Sequence, residues 1–190
     1  HGRAGMADIV ITAFNARYAH SSFSARYLLA NLGELHKQAG LLEFELGVQP
    51  RIAVEKILAH NPRIVSIGCY IWNVDLATQV AALLKRLRPD IALILGGPEI
   101  SYETEQQEIF QYADCVICGE GEIEFPRLCR EILNHEDWKS TKNLSSDGEK
   151  FSGSSCSSNL RGDRIILAEP VNVEQIKLPY DLYTDEDIAH

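Results

Sequence analysis

No apolar run in this sequence approaches the roughly 20 residues that a membrane-spanning helix needs, and the N-terminus lacks the apolar core of a signal peptide. A cytoplasmic protein with no membrane contact is the expectation. Basic residues are also in short supply, 18 Lys+Arg against 27 Asp+Glu for a net charge of −9, and none cluster among aromatics. Nucleic acid and anionic surfaces are therefore poor partners. Neither the G-x-G-x-x-G of a dinucleotide fold nor the G-x-x-x-x-G-K-[ST] of a P-loop is present. Cysteine is sparse and odd in number: Cys69, Cys115, Cys118, Cys129 and Cys156 read as free thiols. Cys115 and Cys118 spell C-x-x-C, but in strand-like sequence side chains three apart face opposite sides, which argues against a redox pair or half a zinc site.

What is present is a regular rhythm of strands and helices. "HGRAG" (1–5) has no pattern and reads as a cloning remnant, so fold reasoning starts at Met6. Strands are predicted at 7–14, 41–48, 63–70, 91–97 and 115–120. The second of these alternates like an edge strand, and "IALILGG" runs apolar like a central one. Between them lie helical patterns: "SFSARYLLANLGELHKQAG" closing on Gly40, "RIAVEKILAHNP", a helix carrying Leu76, Val80, Leu83, Leu84 and Leu87, and a short helix near 104–112. A last helix carries Phe125, Leu128, Cys129, Ile132 and Leu133, with Pro126 in its first turn. Five βα units imply an α/β, flavodoxin-like, doubly wound five-stranded parallel sheet of order 2-1-3-4-5 with a C-terminal extension. The domain spans 6–134; 135–160 is a flexible Ser-rich loop, and 161–190 holds one extra strand and a linker.

Ligands of such sheets bind at the carboxyl ends of the strands. That directs attention to "NARYAHSSF", "CYIWNVD", "GGPEISY" and "GEGEIEF". Glu99 follows the glycine pair, while Glu120 and Glu122 occupy a helix start where a phosphate would otherwise dock, which disfavours a phosphate-held mononucleotide. Gly96, Gly97 and Pro98 bare the backbone for something flat, the carboxylates accept from amide donors, and Tyr70, Ile71 and Trp72 supply an apolar lip.

In this order the motifs "NARYAHSS", "SIGCYIWN", "LILGGPEISY" and "VICGEGEIEF" resemble the N-terminal cobalamin-binding domain of cobalamin-dependent radical S-adenosylmethionine enzymes, over roughly residues 7–133. "LPYDLYTDEDIAH" is similar to their linker toward the radical domain. The resemblance implies bound cobalamin and, in the full-length protein only, a 4Fe-4S cluster, S-adenosylmethionine and a substrate of unknown identity. The C-terminal radical domain of the same chain would be its partner, since C-x-x-x-C-x-x-C is absent here. By position it assigns Ser66, Gly96 and Gly97 to a slot for the nucleotide tail, and 70–73 to the side of the corrin. Gly119, Glu120, Gly121 and Glu122 border the tail, and Asn15, Tyr18, His20 and Ser21 come from the first loop. The D-x-H-x-x-G axial-ligand motif is missing. His20 is thus either a cobalt ligand or a helix-start residue beside the possible caps Ser21 and Ser22. A flavodoxin-like or receiver-like module without catalysis, or a flavin carrier, remains the alternative. Its weakness is a first loop with Asn15 and Arg17 and no glycine.

Overall fold

In the computed structural model, the described residues are 6–16, 22–135, 138, 165–168, 170 and 172–184. Six strands, β1 (Ile9–Asn15), β2 (Ala39–Glu45), β3 (Ile64–Gly68), β4 (Ala92–Gly96), β5 (Cys115–Cys118) and β6 (Ile165–Leu167), form one sheet of order β2-β1-β3-β4-β5-β6. Every pairing is parallel. The expected order holds, and the extra strand joins as a sixth, parallel to β5.

Alternation along the strands sorts the core into two layers. Val10, Phe14, Val65 and Ile67 face helices α2 (Pro50–Ala59) and α3 (Val74–Leu87). Ile9, Ile11, Ile64 and Ile94 face α1 (Phe23–Ala30) and α4 (Gly121–Asn134), whose stripe of Phe125, Leu128, Cys129 and Ile132 is buried. Cys115 lies in the second layer and Cys118 in the first, so the C-x-x-C thiols do face apart. β2 is mostly half-buried, in keeping with its edge position.

Three expectations need correction. The helix expected to close on Gly40 ends at Ala30, where the Asn31 side chain donates to the Tyr27 carbonyl at 2.8 Å. Gly33, at φ +59°, then opens a separate 3₁₀ turn, Gly33–Gln38, and Gly40 belongs to β2. The helix expected near 104–112 is two short 3₁₀ turns, Thr104–Gln106 and Glu108–Tyr112, because Gln107 between them is extended. Pro126 sits inside α4 rather than in its first turn. The putting aside of residues 1–5, and most of the Ser-rich stretch, concern positions outside the described residues.

At the end of the sheet away from the loops named above, Lys85 of α3 pairs with Asp114, whose carboxylate also accepts from the Leu93 backbone N–H at 2.8 Å. That pair pins the entries of β4 and β5.

Candidate functional site

A cavity of about 940 Å³ opens at the carboxyl ends of β1, β3, β4 and β5, toward the upper end of the ~300–1,000 Å³ usual for small-molecule sites. Its lining comes from all four expected loops. Part of it runs down between the sheet and the α1/α4 layer, past Ser66, Ile94, Ile117, Ala25, Leu28 and Phe125. Gly121 lets α4 approach α1: a Cβ there would stand 3.2 Å from Leu28 Cδ2.

Three polar atoms of residues in this lining are orphans. Thr12 Oγ1, Ser66 Oγ and Glu122 Oε2 are buried with no hydrogen-bond partner, a state that costs about 1–3 kcal/mol for each such atom. Strand alternation groups Thr12 with Val10 and Phe14 on the α2/α3 side of the sheet. Ser66, in register with Ile11 and Ile94, belongs to the α1/α4 side. Burial, and after it the charge of Glu120, pushes the Glu122 carboxyl above its ordinary value, with its own backbone N–H opposing.

The lip is built by Asn73, which is buried. Its Oδ1 accepts from the Tyr70 N–H at 2.9 Å, and its Nδ2 donates to the carbonyls of Gly68 at 3.0 Å and Phe14 at 3.3 Å. The resulting turn stacks Tyr70 on Trp72, with centroids 4.6 Å apart and 12° between planes. The Tyr70 hydroxyl meets Ser24 Oγ at 2.6 Å, closing the lip onto α1.

The first loop is held at both described ends by one side chain of β2. Glu43 Oε1 accepts from Asn15 Nδ2 at 2.9 Å and from the Ser22 backbone N–H, while Oε2 pairs with Arg26 Nη1 at 2.6 Å. Ser22 caps α1 by accepting from the Ala25 N–H. Tyr18, His20 and Ser21 lie outside the described residues.

Of the other expected residues, Asn15, Ser66, Tyr70, Trp72, Gly96, Gly97 and Pro98 line the cavity, as do Gly119, Glu120, Gly121 and Glu122. Ile71 and Glu99 do not. Ile71 occupies the outer position of the lip turn and is 77% exposed. Glu99 heads a 3₁₀ turn whose N–H donates to the Cys69 carbonyl. Burial first, and Glu99 second, push the Cys69 thiol up to about 12, so it stays protonated. Gly97 bares the backbone for a reason internal to the protein: at φ +101°, a Cβ would lie 2.5 Å from the Cys69 carbonyl oxygen. Among the described residues no group of three or more His, Cys, Asp or Glu is placed to hold a metal ion, and no helix is long and apolar enough to cross a membrane.

Sequence reasoning missed Ala25, Leu28, Phe125, Leu167 and Ala168, which complete the walls. Their sequence signal is that of core residues, and only the packing of α1, α4 and β6 separates wall from core.

Residues 9–129 match the B12 binding domain family. The chain is 29% identical over 87 residues to the cobalamin-dependent radical SAM methyltransferase TokK of Streptomyces tokunonensis, covering 45% of this chain and 13% of that protein. It is 32% identical over 82 residues to the 2-(S-pantetheinyl)-carbapenam-3-carboxylate methyltransferase of Streptantibioticus cattleyicolor, covering 41% and 12%. The matched stretch thus spans about an eighth of each curated relative's length. A crystal structure of a cobalamin-binding protein from Desulfitobacterium hafniense DCB-2 aligns with TM-score 0.49 and 19% identity, over 65% of this chain and 58% of that one. Since the family match takes in β1 through β5 and the loops that build the cavity at their ends, the chain belongs to the B12 binding domain family.

Proposed function

We propose that this domain holds a cobalamin at the carboxyl edge of its sheet and presents it to a radical S-adenosylmethionine domain of the same protein. That second domain would carry the 4Fe-4S cluster and S-adenosylmethionine, and would act on a substrate whose identity is open. The observation that carries the reading is the unpartnered Ser66 hydroxyl buried in an apolar slot open to the cavity. A buried donor without a partner is what a ligand with heteroatoms on an aromatic base would satisfy.

The remaining residues fit the same group. Ile94, Ile117 and Phe125 bury an apolar base, Tyr70 and Trp72 present ring faces at the mouth, and Glu120 and Glu122 are placed to accept from amide side chains. Bound cobalamin supplies a cobalt able to carry a methyl group or support radical chemistry. The protein's own part is to bind the corrinoid and to withdraw its tail from water. The exposed Trp72 and Tyr102 at the rim would be covered by the radical domain. Carboxylates rather than cations at the start of α4 speak against a flavin nucleotide held by its phosphate.

The test is a titration of the protein with hydroxocobalamin followed by its visible spectrum, for wild type, Ser66→Ala and Ser66→Leu. Wild type is expected to bind saturably. Ser66→Ala is expected to bind about 5–30-fold more weakly, the loss of one hydrogen bond, and Ser66→Leu, which fills the slot, not at all. Equal binding by all three would refute a tail at Ser66.

A further inference from the structure

The family match ends at residue 129, yet the cavity does not. Leu167 and Ala168 line it together with Ser66 and Glu122. Leu167 ends the sixth strand and Ala168 follows it; the strand pairs with β5 through Val116, Ile117 and Cys118. The ladder continues one residue further, where the Ala168 N–H donates to the Cys118 carbonyl at 2.8 Å.

This contact is close. Gly119 turns the chain from β5 into α4 at φ +98°, and a Cβ on it would stand 3.2 Å from the Ala168 carbonyl oxygen and 3.6 Å from the Ala168 Cβ. Ile166 and Ala168 pack with the α1/α4 core layer, the layer that also walls the slot. Of the two residues that line the cavity here, Leu167 is large and Ala168 small, and it is Ala168 that packs on the α1/α4 side, where the slot lies.

The chain that follows secures the wall. Asn31, at the end of α1, exchanges two hydrogen bonds with Lys177: Nδ2 donates to the Lys177 carbonyl at 2.9 Å, and Oδ1 accepts from the Lys177 N–H at 2.8 Å. Leu182 packs against the α1/α4 layer, and the Tyr183 ring lies 4.9 Å from the Arg26 guanidinium. Three attachments to α1 and its core layer return the segment across the face that β6 borders.

We propose that β6, with the Ala168 that follows it, is a wall of the ligand slot added to the five strands that the family match covers, and that Ala168 limits the aromatic lower base a corrinoid can bring into the slot. The inference rests on the cobalamin reading above. It adds a residue beyond the family match whose size sets which corrinoids are accepted.

The experiment compares cobalamin, which carries a nucleotide base, with cobinamide, which lacks it, by equilibrium titration of wild type, Ala168→Val and Ala168→Phe. Circular dichroism and melting confirm the fold of each. Expected is a graded loss of cobalamin affinity with side-chain size, about tenfold for Val and more for Phe, as overpacking at one site produces, with cobinamide binding unchanged. Should Ala168→Phe not fold, Ala168→Val carries the comparison alone. Equal weakening of both corrinoids in a folded variant, or of neither, would overturn the role of Ala168 while leaving the corrinoid reading intact. Wild type that bound neither corrinoid would overturn that reading, and the role of β6 with it.

Discussion

Replacing Gly97 by alanine tests how the glycine pair works. At φ +101° an L side chain is strained, at about 1–3 kcal/mol. The added Cβ would also stand 2.5 Å from the Cys69 carbonyl oxygen and 2.9 Å from its nitrogen. Both atoms are engaged: the Cys69 N–H donates to the Gly96 carbonyl at 2.7 Å, and its carbonyl accepts from the Glu99 N–H at 3.2 Å. The backbone that must yield is therefore fastened on both sides, and moving it adds about 1–3 kcal/mol. The sum is about 2–6 kcal/mol, a large part of the ~5–15 kcal/mol that stabilises a domain. Gly96→Ala is the control. There the Cβ meets only the Ile117 carbonyl oxygen at an ordinary 3.6 Å, and no loss, with a gain of up to about 1 kcal/mol, is expected in a strand. Urea unfolding with a common slope reads both values. If the two alanine variants lost equal stability, the clash with Cys69 would not be what requires a glycine at 97.

Two further perturbations follow from the polar groups around the cavity. Burial raises the folded-state value of Glu122 above its ordinary 4.5, so ionising it costs stability as pH rises from there through the raised value, and the favourable contribution is present only below. Glu122→Gln should then melt higher than wild type at pH 7 and equally near pH 4, by less than about 1 kcal/mol since the group is partly solvated; parallel melting profiles would refute a buried charge. Glu43→Ala removes the acceptor that joins Asn15, Ser22 and Arg26. It removes the ion pair of a cation whose side chain is only 7% exposed, and should cost about 1–3 kcal/mol in urea unfolding, with faster hydrogen exchange at the Ser22 amide. A loss no larger than that of an exposed pair such as Arg51 and Glu55 would show the network to be idle.

The five-strand order was legible because apolar β-branched runs separated by amphipathic helices leave few alternatives for a parallel sheet. "IALILGG" reads as a buried central strand from composition alone, and "CVIC" declares by its period that its two thiols face apart. Helix ends were less legible. Gly33 and Gly40 are the same residue in similar company, and only Gly33 takes a positive φ, because the Asn31 cap ends the helix two residues before it. The site divided in a similar way. Residues such as Tyr70, Trp72 and Glu122 were marked by polarity or aromaticity just after strand ends, which the parallel sheet brings together at one edge.

Local pattern, acting through periods of two and 3.6 residues and through a few glycines and caps, was enough to specify which segments become strands, how they order themselves, and at which edge the cavity opens. It could not specify the inside of the slot. Whether Ala25, Leu28, Phe125 and Ala168 are core or wall depends on how closely α1, α4 and β6 approach one another. That spacing is set by contacts between residues far apart in the chain, such as Gly121 with Leu28, Ala168 with Gly119 and Asn31 with Lys177. A burial pattern records that a side chain leaves water, but not whether its neighbour is protein or ligand, and that choice belongs to packing in three dimensions.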